Sequence, residues 1–141
     1  MLFIQFTGLS GAGKSTIASG VKAVLERKGY RVEVIDADIY RPILCPDLGF
    51  SKHDRIENIR RLGFVATLLA KNGVITILAA INPYELARKE LVANGTKVKT
   101  VWINCDLETL IKRDTKGLYH KALLPNNSPN KIHNLTGVND I

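Results

Sequence analysis

The sequence has few cysteines and no long apolar run, and each scarcity excludes a class of protein. Its two cysteines, Cys45 and Cys105, lie far apart, so the sequence indicates neither a disulfide framework nor a cysteine-ligated metal site. No apolar run reaches the roughly 20 residues of a membrane-spanning helix, and we expect no membrane partner. Because Met1 leads directly into a predicted core strand, we expect no signal or transit peptide and a cytoplasmic location.

The chain is basic, but its basic residues do not form a run. Lys and Arg number 20 against 13 Asp and Glu, which gives a net charge of +7. The hydrophobic fraction of 45% and the charged fraction of 23% are ordinary for a globular domain. The basic residues cluster with the motifs described below, and no nucleic-acid recognition motif accompanies them. We therefore expect small polyanionic ligands and no nucleic acid.

Residues 8–16 have the form of a phosphate-binding loop. The stretch reads Gly8-Leu9-Ser10-Gly11-Ala12-Gly13-Lys14-Ser15-Thr16 and matches G-x-x-x-x-G-K-S. An apolar run at 2–7 predicts a strand before it, and apolar residues at helical spacing predict a helix over 14–28. In such loops the backbone N–H groups bind the phosphates of a nucleoside triphosphate. The lysine then reaches the β- and γ-phosphates, and the serine hydroxyl binds Mg²⁺. This context makes a chance match by a glycine turn the weaker interpretation.

The rest of the chain alternates predicted strands with predicted helices. Strands are predicted over 31–36, 73–81 and 97–104, and the nearly continuous apolar run at 73–81 predicts a central strand covered on both faces. Helices are predicted over about 51–72, beginning at Ser51 or His53, over 83–93, ending before Asn94-Gly95, and over 107–115. This alternation indicates an α/β fold, a P-loop NTPase three-layer sandwich with a central parallel sheet, as a single domain over residues 1–141. Residues 42–51 are predicted to form a loop, and the polar segment 116–134 a loop-like lid over the phosphates.

Two aspartates follow the second predicted strand, at the sheet edge where open α/β folds place their sites. We expect Asp38 to face Mg²⁺ and the γ-phosphate, whereas Asp36 could equally cap the next element.

A polar set on the long helix is ambiguous. Arg55, Asn58 and Arg61 recur three positions apart. A solvated helix face is the better interpretation from spacing alone, although two arginines around an asparagine would equally suit an oxyanion.

Taken in order, the motifs resemble the adenylylsulfate kinase (APS kinase) family from Phe3 to Val138. Besides the phosphate-binding loop, the similar stretches are D-A-D-I-Y-R at 36–41, L-C-P-D-L-G-F-S at 44–51, D-R-I-E-N-I-R-R at 54–61, I-N-P-Y at 81–84, R-D-T-K-G-L-Y-H-K-A at 113–122 and L-T-G-V at 135–138. The resemblance implies an enzyme of sulfate assimilation that uses MgATP. It would phosphorylate the 3′-hydroxyl of adenosine 5′-phosphosulfate (APS) to give 3′-phosphoadenylyl sulfate. A homodimer is also implied.

The resemblance assigns roles to individual residues. Asp38 would orient the attacking hydroxyl, as a base or as a partner of Mg²⁺ through water, and Arg113 would lie beside ATP. Phe50 would stack on adenine. The residues implied to bind the sulfonucleotide, or to belong to the lid that covers it, are Arg41, Phe50, Arg55, Asn58, Asn82, Lys121 and Leu135.

Four departures from the family pattern leave alternatives open. Asn82 replaces a serine that can carry a phosphoryl group, so a phosphoenzyme at this position is excluded. Leu135 replaces a phenylalanine, with an expected loss of about 1 kcal/mol of stacking on adenine, and Ala37 replaces a glycine. The family usually continues beyond position 141 through a further strand and helix. The alternatives are a nucleotide-binding remnant with weak or no catalysis, or a related small P-loop kinase with another acceptor.

Overall fold

A computed structural model describes residues 2–94 and 97–139, which form four strands and six helices. Their order is β1 (Phe3–Thr7), α1 (Lys14–Arg27), β2 (Val32–Asp36), α2 (Ala37–Leu44), α3 (Lys52–Lys71), β3 (Ile75–Ala79), α4 (Glu85–Ala93), β4 (Val98–Trp102), α5 (Leu107–Arg113) and α6 (Leu118–Ala122). The strands form one parallel sheet in the order β2-β3-β1-β4. This architecture confirms the predicted α/β fold.

The sheet separates two apolar clusters, which makes the fold three-layered. One cluster joins the sheet to α3 and α4 and includes Leu62 and Leu91. The other joins the opposite face to α1 through Ala18 and Phe6. The prediction of a central strand covered on both faces is confirmed, because β3 lies between β2 and β1 with Ile77 fully buried. In the described part of the chain, no helix has the length and apolar character needed to cross a membrane.

Two prolines lie in other positions than predicted. Pro42 lies inside α2, so the predicted loop is wrong for residues 42–44. Proline there removes only the bond to the carbonyl of Asp38, and the helix ends two residues later. Pro83 precedes the helix instead of lying in its first turn, because Tyr84 is extended and α4 begins only at Glu85. Gly95, predicted to follow this helix, lies outside the described residues.

The segment predicted as a loop from residue 116 contains a short helix. α5 ends at Arg113, and the C-cap residue Asp114 has φ 36°. The Asp114 carboxylate then accepts hydrogen bonds from the backbone N–H groups of Tyr119 and His120, at 2.9 and 3.0 Å. Tyr119 and Ala122 are buried. The loop prediction is therefore wrong for 118–122, because a carboxylate cap and two buried side chains stabilise α6.

Candidate active site

The phosphate-binding loop connects β1 to α1 and depends on glycines at its bends. Gly13 precedes the helix with φ 102°, in the left-handed region that favours glycine. Gly8 has φ 155°, and a Cβ there would lie 2.5 Å from the carbonyl oxygen of Ile103. The Gly8 N–H also donates to the carbonyl of Ile81 at 3.2 Å. The loop therefore starts where three neighbouring strands end, and only a residue without a side chain fits at its first position.

Lys14 is held within this loop. Its Nζ donates to the backbone carbonyl oxygens of Gly8 and Leu9, both at 2.8 Å. Burial lowers the pKa of Lys14 to about 8, and the nearby charge of Lys116 acts in the same direction. The carboxylates of Asp38 and Asp36 oppose this shift. An incompletely solvated ammonium of this kind is well placed to bind a phosphate.

Ser15 and Asp36 form a hydrogen-bonded pair of side chains near Lys14. The Ser15 hydroxyl donates to Asp36 Oδ2 at 2.5 Å. Asp36 also caps α2, because its Oδ1 accepts the N–H of Asp38 at 3.0 Å. The capping role considered for Asp36 is thus observed, and its contact with Ser15 was not predicted.

These oxygens suit Mg²⁺, which commonly takes one or two protein ligands together with substrate phosphates. Across residues 2–94 and 97–139, no three His, Cys, Asp or Glu side chains are grouped as a metal site. The oxygen atoms of Ser15 and Asp36 fit a magnesium ion.

Asp38 lies in the first turn of α2 with its side chain largely exposed, at 67%. Its Oδ2 accepts a hydrogen bond from the Lys116 ammonium. Lys116 was expected only as the start of the lid. The contact places the beginning of segment 116–134 next to Asp38, near the phosphate-binding loop.

Arg41 and Phe50 form an aromatic–cation pair near the end of α2. The guanidinium carbon of Arg41 lies 4.4 Å from the centroid of the Phe50 ring, within the range of a cation–π contact. Arg41 also donates to the carbonyl oxygen of Gly49. The Phe50 side chain remains 60% exposed, so its ring is accessible to a ligand.

The polar residues of α3 do not form the solvated face suggested by their spacing. Asn58 is only 5% exposed, and its Oδ1 has no hydrogen-bond partner in the described part of the chain. Arg61 pairs with Asp47 and Glu57. The interpretation as a solvated face is therefore wrong at Asn58.

Arg55 joins the backbone at Phe50 to residues 134–136. Its Nε donates to the Phe50 carbonyl at 2.8 Å, and its Nη1 donates to Thr136 Oγ1 at 2.7 Å. Its Nη2 contacts the carbonyl of Asn134. One guanidinium thus fixes residues 134–136 beside the start of α3, although these residues are far apart in sequence.

Asn82 points into the sheet. It has φ 42° and is 2% exposed. Its Nδ2 donates to Gln5 Oε1 at 3.0 Å, and Gln5 Nε2 donates to Thr100 Oγ1 at 2.8 Å. The Arg88 guanidinium donates to the Asn82 carbonyl at 2.9 Å. The structure therefore places the buried Asn82 in a polar network with Gln5 and Thr100.

Three further predicted residues lie around the lid segment. Leu135 is buried in a cluster with Leu110 and Tyr119. Arg113 Nη1 lies 3.9 Å from the sulfur of Cys105, and Lys121 is exposed on α6. Among residues 2–94 and 97–139, neither of these two basic side chains bonds to the phosphate-binding loop.

The fold and the site together define a class. A phosphate-binding loop follows the first strand of a parallel sheet, and Lys14, Ser15, Asp36 and Asp38 meet near the carboxyl ends of β1 and β2. This combination defines an ATP-dependent phosphotransferase of the P-loop kinase class.

Comparison with known proteins identifies the family within this class. The profile of the family described as "Adenylylsulphate kinase" matches residues 1–141. An adenylyl-sulfate kinase from Chloroflexus aurantiacus is 48% identical over 139 residues, which cover 99% of this chain and 72% of that protein. The chain therefore belongs to the adenylylsulfate kinase family, as the motifs predicted. It is an ATP-dependent kinase, and the family's acceptor is adenylyl sulfate.

Solved structures agree with this assignment. The Mycobacterium tuberculosis APS kinase in complex with AMPPNP and APS is 44% identical, with a TM-score of 0.81 over 85% of this chain and 72% of that one. A hexameric APS kinase from Thiobacillus denitrificans is 43% identical, with a TM-score of 0.62 over 72% of this chain and 21% of that one.

Proposed function

We propose that residues 8–16 and Asp38 catalyse direct transfer of the γ-phosphoryl group from MgATP to the 3′-hydroxyl of adenosine 5′-phosphosulfate. The observation that carries the proposal is the meeting of Lys14, Ser15, Asp36 and Asp38 at one edge of the sheet. Phosphoryl transfer needs in-line positioning and neutralisation of charge more than covalent help. A cationic loop with carboxylates beside it supplies groups for both tasks.

On the ATP side, the backbone N–H groups of residues 8–16 bind the phosphates, and the ammonium of Lys14 exchanges its two carbonyl partners for phosphate oxygens. Ser15 and Asp36 would hold Mg²⁺, directly or through water. When bound, Mg²⁺ neutralises charge on the β- and γ-phosphates. The dipole of α1 adds positive potential at the same place.

On the acceptor side, Asp38 orients the 3′-hydroxyl and accepts its proton. In the structure its carboxylate is paired with Lys116. Both side chains are exposed, and exposed ion pairs contribute little free energy. The pair can therefore open when the substrate hydroxyl arrives, and the freed ammonium of Lys116 can then move to a phosphate.

The sulfonucleotide binds beside Phe50. Because Arg41 covers one face of the ring, adenine would stack on the other face, and the Arg41 and Arg55 cations would neutralise the phosphosulfate. The unpartnered Asn58 Oδ1 can accept a hydrogen bond from the ligand.

The remaining predicted residues act less directly. Asn82 and Leu135 are buried, and we propose that they support the site through packing. Contacts of Arg113 and Lys121 with ligand remain predictions. The hexameric relative supports self-association, and the free thiols Cys45 and Cys105 support a cytoplasmic location.

The direct test is product formation. The chain is mixed with MgATP and APS, and the product is identified by mass spectrometry and by the position of its new phosphate. We expect 3′-phosphoadenylyl sulfate, and slower turnover with adenosine monophosphate, which has no sulfate for the arginines to bind. Binding of APS without turnover would contradict the proposal and indicate a nucleotide-binding remnant.

Replacing Arg55 with lysine tests the acceptor side. Lysine keeps the charge but cannot bond to Phe50, Thr136 and Asn134 through one planar fork. Charge-assisted bonds contribute roughly 1.5–3 kcal/mol each, so we expect KM for APS to rise by at least about tenfold. KM for ATP should change less than about twofold. The matched control is Arg61→Lys on the same helix, whose partners are carboxylates outside the site. Equal changes in the two variants would disprove a specific role for Arg55.

A further inference from the structure

The side chain of Tyr119 contacts Ser10 of the phosphate-binding loop. Its hydroxyl donates to the backbone carbonyl of Ser10 at 2.6 Å. Both residues are buried, with Tyr119 2% and Ser10 4% exposed. The Tyr119 ring belongs to the same apolar cluster as Ala12 and Leu110. The Tyr119 side chain therefore contributes to the loop in two ways: its ring belongs to the apolar cluster that contains Ala12, and its hydroxyl bonds to Ser10.

The direction of the Ser10 carbonyl determines the direction of the next N–H group. In a trans peptide the C=O and the following N–H point to opposite sides of the chain. When the Ser10 carbonyl points to Tyr119, the N–H of Gly11 points away from Tyr119. Gly11 has φ 79°, a conformation in which successive N–H groups can form an anion-binding concavity. The contact thus orients one of the groups that would hold a phosphate.

The position of Tyr119 is itself fixed by local structure. Asp114 accepts the backbone N–H groups of Tyr119 and His120, and Gly117, with φ 67°, precedes α6. Burial and the charge of Asp114 raise the pKa of Tyr119. The phenol therefore remains protonated at neutral pH and can act as a donor.

We propose that Tyr119 is a positioning residue. Its hydroxyl holds the Ser10 carbonyl toward Tyr119, so that the loop is preorganised for the β-phosphate of the nucleotide. The proposal rests on the proposed use of residues 8–16 for ATP. Loss of the hydroxyl leaves a buried carbonyl without its partner, and the loop then has other peptide orientations available before the nucleotide binds. Loss of the hydroxyl therefore weakens nucleotide binding, whereas the rate of transfer from bound nucleotide is unchanged.

The experiment compares Tyr119→Phe with Leu118→Ala. The first variant keeps the ring and loses only the hydroxyl. The second keeps the hydroxyl and loses apolar packing from the neighbouring residue of α6, which packs on the same cluster. Calorimetry gives Kd for ADP, ATP and APS separately, and thermal unfolding reports the stability of each variant.

For Tyr119→Phe we expect Kd for ADP and ATP to rise about tenfold, with Kd for APS within twofold. KM for ATP should rise by a similar factor while kcat stays within twofold. Leu118→Ala should leave all of these constants within twofold even where it lowers Tm. Unchanged ADP binding in Tyr119→Phe, or an equal loss in Leu118→Ala, would overturn the proposal. Because ADP binding needs no transfer, this result is independent of whether the chain makes 3′-phosphoadenylyl sulfate.

Discussion

Replacing Lys14 with alanine is expected to lower kcat/KM for phosphoryl transfer by at least about 100-fold, since the loss of one preorganised group at a charged transition state has effects of this size. Within the described part of the chain, the ammonium of Lys14 is bound by two carbonyl oxygens of its own loop, and phosphate oxygens would be stronger partners. Initial rates of 3′-phosphoadenylyl sulfate formation measure the effect.

The matched control for this variant is Lys22→Ala on the same helix. Lys22 lies 3.9 Å from Glu26 and 3.8 Å from Glu33, and its removal should leave the rate within twofold. Lys14→Ala should stay folded, because burial lowers the pKa of Lys14 to about 8. Below that pH the folded state carries a charge that burial penalises, and the penalty disappears as the pH rises. A variant without Lys14 that retains more than a tenth of the activity would refute the assignment.

Replacing Asp38 with asparagine is expected to lower kcat by about 10²- to 10⁴-fold, the usual range for loss of a general base. Asparagine keeps the size of the side chain but cannot accept the proton of the 3′-hydroxyl. KM for ATP should stay nearly constant, because Asp38 lies on α2 and the loop that binds ATP precedes α1. Single-turnover kinetics with saturating APS measure the chemical step.

Asp36→Asn provides the contrast for this prediction. Asp36 accepts the Ser15 hydroxyl, so its replacement should raise the Mg²⁺ concentration needed for half-maximal rate. Asp38→Asn should leave that concentration unchanged. If the two variants exchange these behaviours, Asp38 is the magnesium partner and Asp36 serves the acceptor. A small effect of Asp38→Asn on kcat would remove the general-base role.

The sequence was most informative where one physical constraint dominates. A strand such as β3 is buried on both faces, so nearly every residue is apolar and its central position could be predicted. The loop around Lys14 could be predicted because an anion-binding turn requires glycines at fixed spacing. Ser51 or His53 was predicted to begin α3, and Ser51 caps the helix by accepting the N–H of Asp54 at 3.1 Å.

Features that depend on contacts distant in sequence could not be predicted from local pattern. The Lys116–Asp38 and Tyr119–Ser10 contacts join residues 78 and 109 positions apart. α6 is too short to show a clear helical period, and its cap comes from Asp114 in the preceding turn. Asn58 appeared to belong to a solvated face because spacing along a helix does not reveal what packs against it.

The buried network around Gln5 also bears on how the sheet is assembled. Gln5 of β1 lies opposite Thr100 of β4 in the strand pairing and bonds to it, and its other end bonds to Asn82, which follows β3. Moving either neighbouring strand by one residue would turn its side chains to the opposite face. The buried Gln5 amide would then lose its bond to Thr100 or to Asn82, at a cost of roughly 1–3 kcal/mol. During folding, this amide therefore favours one alignment of three adjacent strands over alignments that bury similar apolar area.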